Sequence, residues 1–139
     1  MSQINFARVL LGGVVAGLVI NISEFILNMA VFGADMNAAM ARLNLPPVGG
    51  GAVAVFTLLG FIIGILAIWL YAAIRPRYGF GPKTALCSGA AVWFFAYLYP
   101  GIGYIVLGMF PTRMMVIGLV WGLAELLVAS QAGAYLYKE

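Results

Sequence analysis

The stretch Val9-Leu10-Leu11-Gly12-Gly13-Val14-Val15-Ala16-Gly17-Leu18-Val19-Ile20-Asn21-Ile22-Ser23-Glu24-Phe25-Ile26-Leu27-Asn28-Met29-Ala30-Val31-Phe32 decides how this chain folds. Only one of its side chains, Glu24, carries a charge. At a rise of about 1.5 Å per residue the run covers a hydrocarbon layer of about 30 Å, with length left for tilt. Lipid offers the backbone no hydrogen-bond partner, so the run is expected to be a helix. Arg8 ahead of an apolar stretch also fits a signal peptide. Glu24 and Asn28 would interrupt the core of such a peptide, and no small-residue cleavage site follows, so the run is read as a retained span.

Three further runs of the same kind follow: Ala52–Ile74, Thr84–Phe110 and Met114–Tyr137. The whole chain of 139 residues is 65% hydrophobic and 8% charged, with a mean hydropathy of +1.09. That leaves too little polar side chain to cover a globule in water, where about a quarter of residues are charged. The expected fold is all-α: one integral membrane domain over residues 1–139, a four-helix transmembrane bundle.

Lysine and arginine set the expected orientation. Arg8, Arg75, Arg77, Lys83 and Lys138 fall on one side and Arg42 and Arg113 on the other. By the positive-inside rule both termini and the Arg75–Lys83 connection face the cytoplasm. Arg75, Arg77, Lys83 and Arg113 are thus topology determinants, with anionic lipid headgroups as the alternative partners of the basic connection. A nucleic-acid partner requires a basic face in water, which four buried spans do not supply. The first connection is long. Within it Asp35 is placed to cap a short amphipathic helix whose Met36, Ala39, Met40 and Leu43 share one face. This interfacial helix is read as a linker in contact with headgroups, with a lid over the bundle as the rival reading.

Polar groups inside the spans require explanation, because a carboxylate at mid-bilayer costs at least about 2.5 kcal/mol. Gly13, Gly17, Asn21, Glu24 and Asn28 share a face of the first helix, and Gly118, Gly122, Glu125, Ala129 and Gly133 repeat the theme on the fourth. Gly13-x3-Gly17, Gly60-x3-Gly64 and Gly118-x3-Gly122 are motifs that let helix backbones approach closely. On the third helix Tyr97 and Tyr104 are candidate inward donors, and Pro100 is expected to kink the helix by freeing the carbonyl of Ala96. Counting along the spans puts Glu24 about 22 Å from the cytoplasmic edge and Glu125 about 16 Å from the outer one. The two acids are then offset by about 8 to 10 Å, too far to share a proton, and Arg113 is the expected partner of Glu24. Glu125 is expected protonated or hydrogen-bonded between helices. Trp69, Trp93 and Trp121 read as packing and interface residues.

Catalytic sets are thin. No histidine is present and there is a single cysteine, Cys87. This excludes the Ser-His-Asp and Cys-His arrangements and a disulfide framework. Neither a metal nor a cofactor is expected, and the chain is not read as an enzyme.

The segments Leu11–Leu18, Ser23-Glu24-Phe25, Tyr71–Gly79 and Gly118-Leu119-Val120-Trp121-Gly122 resemble those of small bacterial four-helix membrane proteins with no established activity. That resemblance implies residence in the bacterial inner membrane. The layout is also similar to that of small multidrug transporters, which carry one acid in the first of four helices. It departs from them in the long first connection, the second acid at Glu125 and the position of Glu24. Two functional expectations follow. One is a non-catalytic accessory or assembly subunit that docks on a larger membrane complex through its glycine faces and the Asn21–Glu24–Asn28 stripe. The other is a small oligomeric transporter or channel handling protons or a cation at Glu24 and Glu125.

Overall fold

The computed structural model describes residues 3–139, which form helices joined by short turns, with no strand among the described residues. We number five helices: α1 (Phe6–Val31), α2 (Gly33–Arg42), α3 (Gly50–Tyr78), α4 (Pro82–Val106) and α5 (Thr112–Leu136). All but α2 are long and apolar enough to cross a membrane. The four-helix bundle with a short helix between its first two spans is therefore the observed fold.

Local chemistry sets the ends. The Asn5 side chain accepts from the Arg8 amide and caps α1. Pro82 opens α4, where its missing N–H costs nothing. Gly79 and Gly108 turn the chain at φ 85° and 65°, a region that favours glycine. Three expected boundaries shift. Helix α3 runs through Pro76 to Tyr78, because so near its end only one backbone bond is lost. Helix α4 stops at Val106 rather than Phe110, closed by the turn at Gly108. Asp35 lies in the first turn of α2, which starts at Gly33, so it does not cap that helix.

Around the bundle α1 lies between α3 and α5, and α4 closes the ring on the opposite corner, while α3 and α5 also touch across the middle. The centre is made of Ala16 and Ile20 of α1, Ile68 and Ala72 of α3, Ala85 of α4, and Leu126 and Ala129 of α5. Many of the larger apolar side chains, such as Leu10, Leu18, Phe25, Phe56, Leu66, Phe95 and Val120, point outward. Small side chains inside and large apolar ones outside is the arrangement that packing in lipid favours.

The glycines explain how closely the helices meet. A Cβ on Gly13 would stand 2.5 Å from Ile65 Cα, and one on Gly17 would stand 2.5 Å from the Phe61 ring. Gly64 packs back against Gly13 and Gly17, so these three join α1 to α3 through backbone. Helices α1 and α5 meet at Gly12 and Gly133, each facing the other's carbonyl oxygen at 2.5 Å from an added Cβ. Gly118 differs from the expected close contact. Its nearest neighbour is the Phe32 ring at 3.5 Å, an ordinary van der Waals distance.

One end of the bundle gathers both chain ends and the α3–α4 turn. The Asn5 amide donates to the Tyr137 hydroxyl, Gln131 Nε2 donates to the Pro82 carbonyl, and the Arg75 guanidinium lies over the Tyr137 ring. At the opposite end α2 reaches the α4–α5 turn.

Candidate functional site

Helices α1 and α5 are antiparallel, and their register is fixed at three places. Gly12 meets Gly133, Trp121 Nε1 donates to Ser23 Oγ at 2.8 Å, and Phe32 covers Gly118. Between these points Glu24 and Glu125 come side by side, their carboxyls close enough to act on each other directly. This overturns the expected offset in height. That offset assumes that the first residues of the two antiparallel spans sit at opposite edges of a layer about 30 Å thick. Phe32, at the end of α1, instead lies beside Gly118, more than a turn inside the start of α5. The two acids are therefore neighbours.

Three helices supply the groups around the pair. From α4, the Tyr97 hydroxyl donates to Glu125 Oε1 at 2.9 Å. Its ring lies flat enough on α5 only because residue 122 is glycine, where any Cβ would run into Tyr97 Cδ2. From α1, Ser23 accepts from Trp121 beside Glu125 in the lining of one groove. Asn28 Nδ2 donates to the Glu24 backbone carbonyl at 2.8 Å and reaches Glu24 Oε2 at 3.4 Å. Glu125 is 4% exposed, and its Oε2 has no conventional donor. A proton on either carboxyl turns their contact into a hydrogen bond. With none, two like charges would face each other out of water.

The other sequence candidates lie elsewhere. Asn21 donates to the Gly17 and Thr57 carbonyls at 3.0 and 3.2 Å, and so ties α1 to α3 over Gly60. Tyr104 is exposed and packs edge-on against Phe110, away from the acids. Arg113 is exposed at the start of α5 and forms no ion pair among the described residues, so it is not the partner of Glu24. The helix start is too far along α5, more than three turns from Glu125, for its side chain to reach the pair.

Two members of the site were missed. The sequence assigns Ser23 no role and reads Trp121 as packing, and nothing in their spacing alone shows that they bond to each other. Between α1 and α5 a groove of about 670 Å³ opens beside the pair, walled by Val19, Val116, Val120 and Val128, with Ser23, Trp121 and Glu125 in its lining. No group of three or more metal-ligating side chains is found among the described residues.

Fold and site together define a polytopic membrane protein of four spans with a carboxyl pair inside. Comparison with models of known protein families, with curated proteins and with solved structures returned no match.

Proposed function

We propose that this chain is a small carrier or channel for protons or a monovalent cation, with Glu24 and Glu125 as the ion site. The observation that carries this reading is the juxtaposition of the two carboxyls across α1 and α5. Structural glue between two helices needs one acid and one donor, and Tyr97 already supplies the donor. A second carboxyl placed beside the first adds a like charge that only a proton or a cation offsets. Tyr97 and Asn28 donate to the pair and hydrogen-bond its charged form, and Ser23 fixes Trp121 beside it. No lysine or arginine joins them, so the pair stays free to exchange its ion.

The accessory-subunit reading needs the glycine faces and the Asn21–Glu24–Asn28 stripe for docking. Gly13, Gly17, Gly60, Gly64 and Gly122 are buried inside the bundle, which leaves little of that surface for a partner. The basic end, with Arg8, Arg75, Arg77, Lys83 and Lys138, supports cytoplasmic termini in a bacterial inner membrane. The test is purification in mild detergent followed by reconstitution. We expect a homogeneous preparation whose proteoliposomes pass protons or a monovalent cation down an imposed gradient. Glu24→Gln and Glu125→Gln should each lower the rate at least about tenfold, as loss of an ion-binding carboxyl requires. A stoichiometric larger partner together with flux equal to that of empty vesicles would overturn the proposal.

A further inference from the structure

We propose that α2 is a latched gate over the carboxyl pair, held shut by Arg42. The gate rests on reading that pair as the ion site. Its parts follow one another along the chain. Just beyond Glu24 the helix widens into a π turn, Leu27–Val31, in which the Phe32 amide bonds back to the Leu27 carbonyl at 3.0 Å. Such turns interrupt the regular ladder and mark places where a helix bends. Gly33 follows at once and starts α2. Leu27 and Phe32 are buried with Met114 in a second apolar cluster, separate from the main core, to which Met36, Ile117 and Trp121 add.

Trp121 belongs both to this cluster and to the polar network, through its bond to Ser23. The cluster is therefore the apolar layer between the carboxyl pair and the end of the bundle that carries α2. The far end of α2 is tied down by charge. Arg42 donates through one nitrogen to the Met109 and Gly108 carbonyls, at 2.9 and 3.4 Å. These carbonyls lie in the turn after α4, beyond the helix end, where they have no partner in the next turn of helix. Helix α2 thus spans the bundle end from α1 to the α4–α5 turn, hinged at the π turn and Gly33 and fastened at Arg42. After Asn44, which takes a positive φ of 56°, the chain runs through Pro46 and Pro47 to α3 without regular structure, leaving slack for α2 to lift.

Access from the aqueous side tests the gate without relying on transport. In a Cys87→Ala background, Leu27→Cys or Met114→Cys, both buried in that layer and outside the groove between α1 and α5, reports arrival of a membrane-impermeant methanethiosulfonate under α2. Arg42→Gln should speed labelling at either reporter about tenfold, the scale set by a charge-assisted hydrogen bond. Arg113→Gln, which removes the other cation of that end, should leave the rate unchanged. Rates within twofold for Arg42→Gln, or an equal rise for Arg113→Gln, would overturn the gate. Faster labelling in a protein that passes no ion would keep the gate and discard the ion-site reading. Flux that needs both glutamates, with labelling indifferent to Arg42, would do the reverse.

Discussion

At the scale of single residues, the question is which glycines the bundle cannot replace. A Cβ on Gly12 meets the Gly133 carbonyl oxygen at 2.5 Å, and backbone cannot swing aside as a side chain does. Gly12→Ala is therefore expected to cost about 1–3 kcal/mol, the range for overfilling a packed interior. Gly118→Ala meets only Phe32 at 3.5 Å and should change stability by less than about 0.5 kcal/mol. Denaturation in mixed micelles checks both, and equal losses would show that the contact distances do not decide. The pair also shows what spacing alone conveys. Gly-x3-Gly motifs mark faces where helices can come together, but not which member touches backbone. Gly12 meets α5 backbone directly, yet it stands outside every such motif. Tyr97→Phe removes the hydroxyl that reaches Glu125 while leaving the ring on Gly122. It should cost about 0.6–1.7 kcal/mol in the same assay, the measured span for hydrogen bonds between membrane helices.

At the scale of elements, the two π turns fix where side chains point. In α4 the turn Phe94–Leu98 comes just before Pro100, and the Tyr99 amide bonds to the Phe94 carbonyl. The proline that was expected to kink the helix is thus accommodated by a widened turn. A proline is visible in the sequence, but the way a helix absorbs it depends on packing, here Tyr97 over Gly122 and Gly101 against Leu119. In α1 the turn Leu27–Val31 holds one residue more than an α turn. Deleting the exposed Ala30 lets that turn close to ordinary α geometry with Phe32 kept on Gly118. The expected loss of stability is within about 1 kcal/mol, as for a change away from packed contacts. Deleting the equally exposed Leu18 instead rotates one part of α1 against the other by about 100°, so that Gly13 and Glu24 no longer face their partners together. That protein should fail to fold, and recovery of monodisperse material after detergent extraction would separate the two deletions.

At the scale of the whole molecule, hydropathy and charge are legible in the sequence, while register is not. Long apolar runs require helices wherever they meet lipid, so the four spans follow from composition alone. The meeting of Glu24 with Glu125 depends on how far one helix slides along another, and only contacts such as Gly12 on Gly133 and Phe32 on Gly118 settle that. Orientation is proposed from a count of cations at the two ends and is a prediction to be tested. Arg77, Lys83 and Lys138 are exposed and take no part in the packing described above. Changing all three to serine leaves Arg8 and Arg75 at one end against Arg42 and Arg113 at the other. The charge bias that directs insertion is then gone, while the core and the carboxyl pair stay as they were. Reporters fused to the C-terminus, one active only in the cytoplasm and one only outside it, should read a single orientation for the unaltered chain. For the triple variant both should become active to a comparable degree. If the variant keeps one orientation, the choice is made by something other than these cations, and the long connection carrying α2 would be the next segment to test.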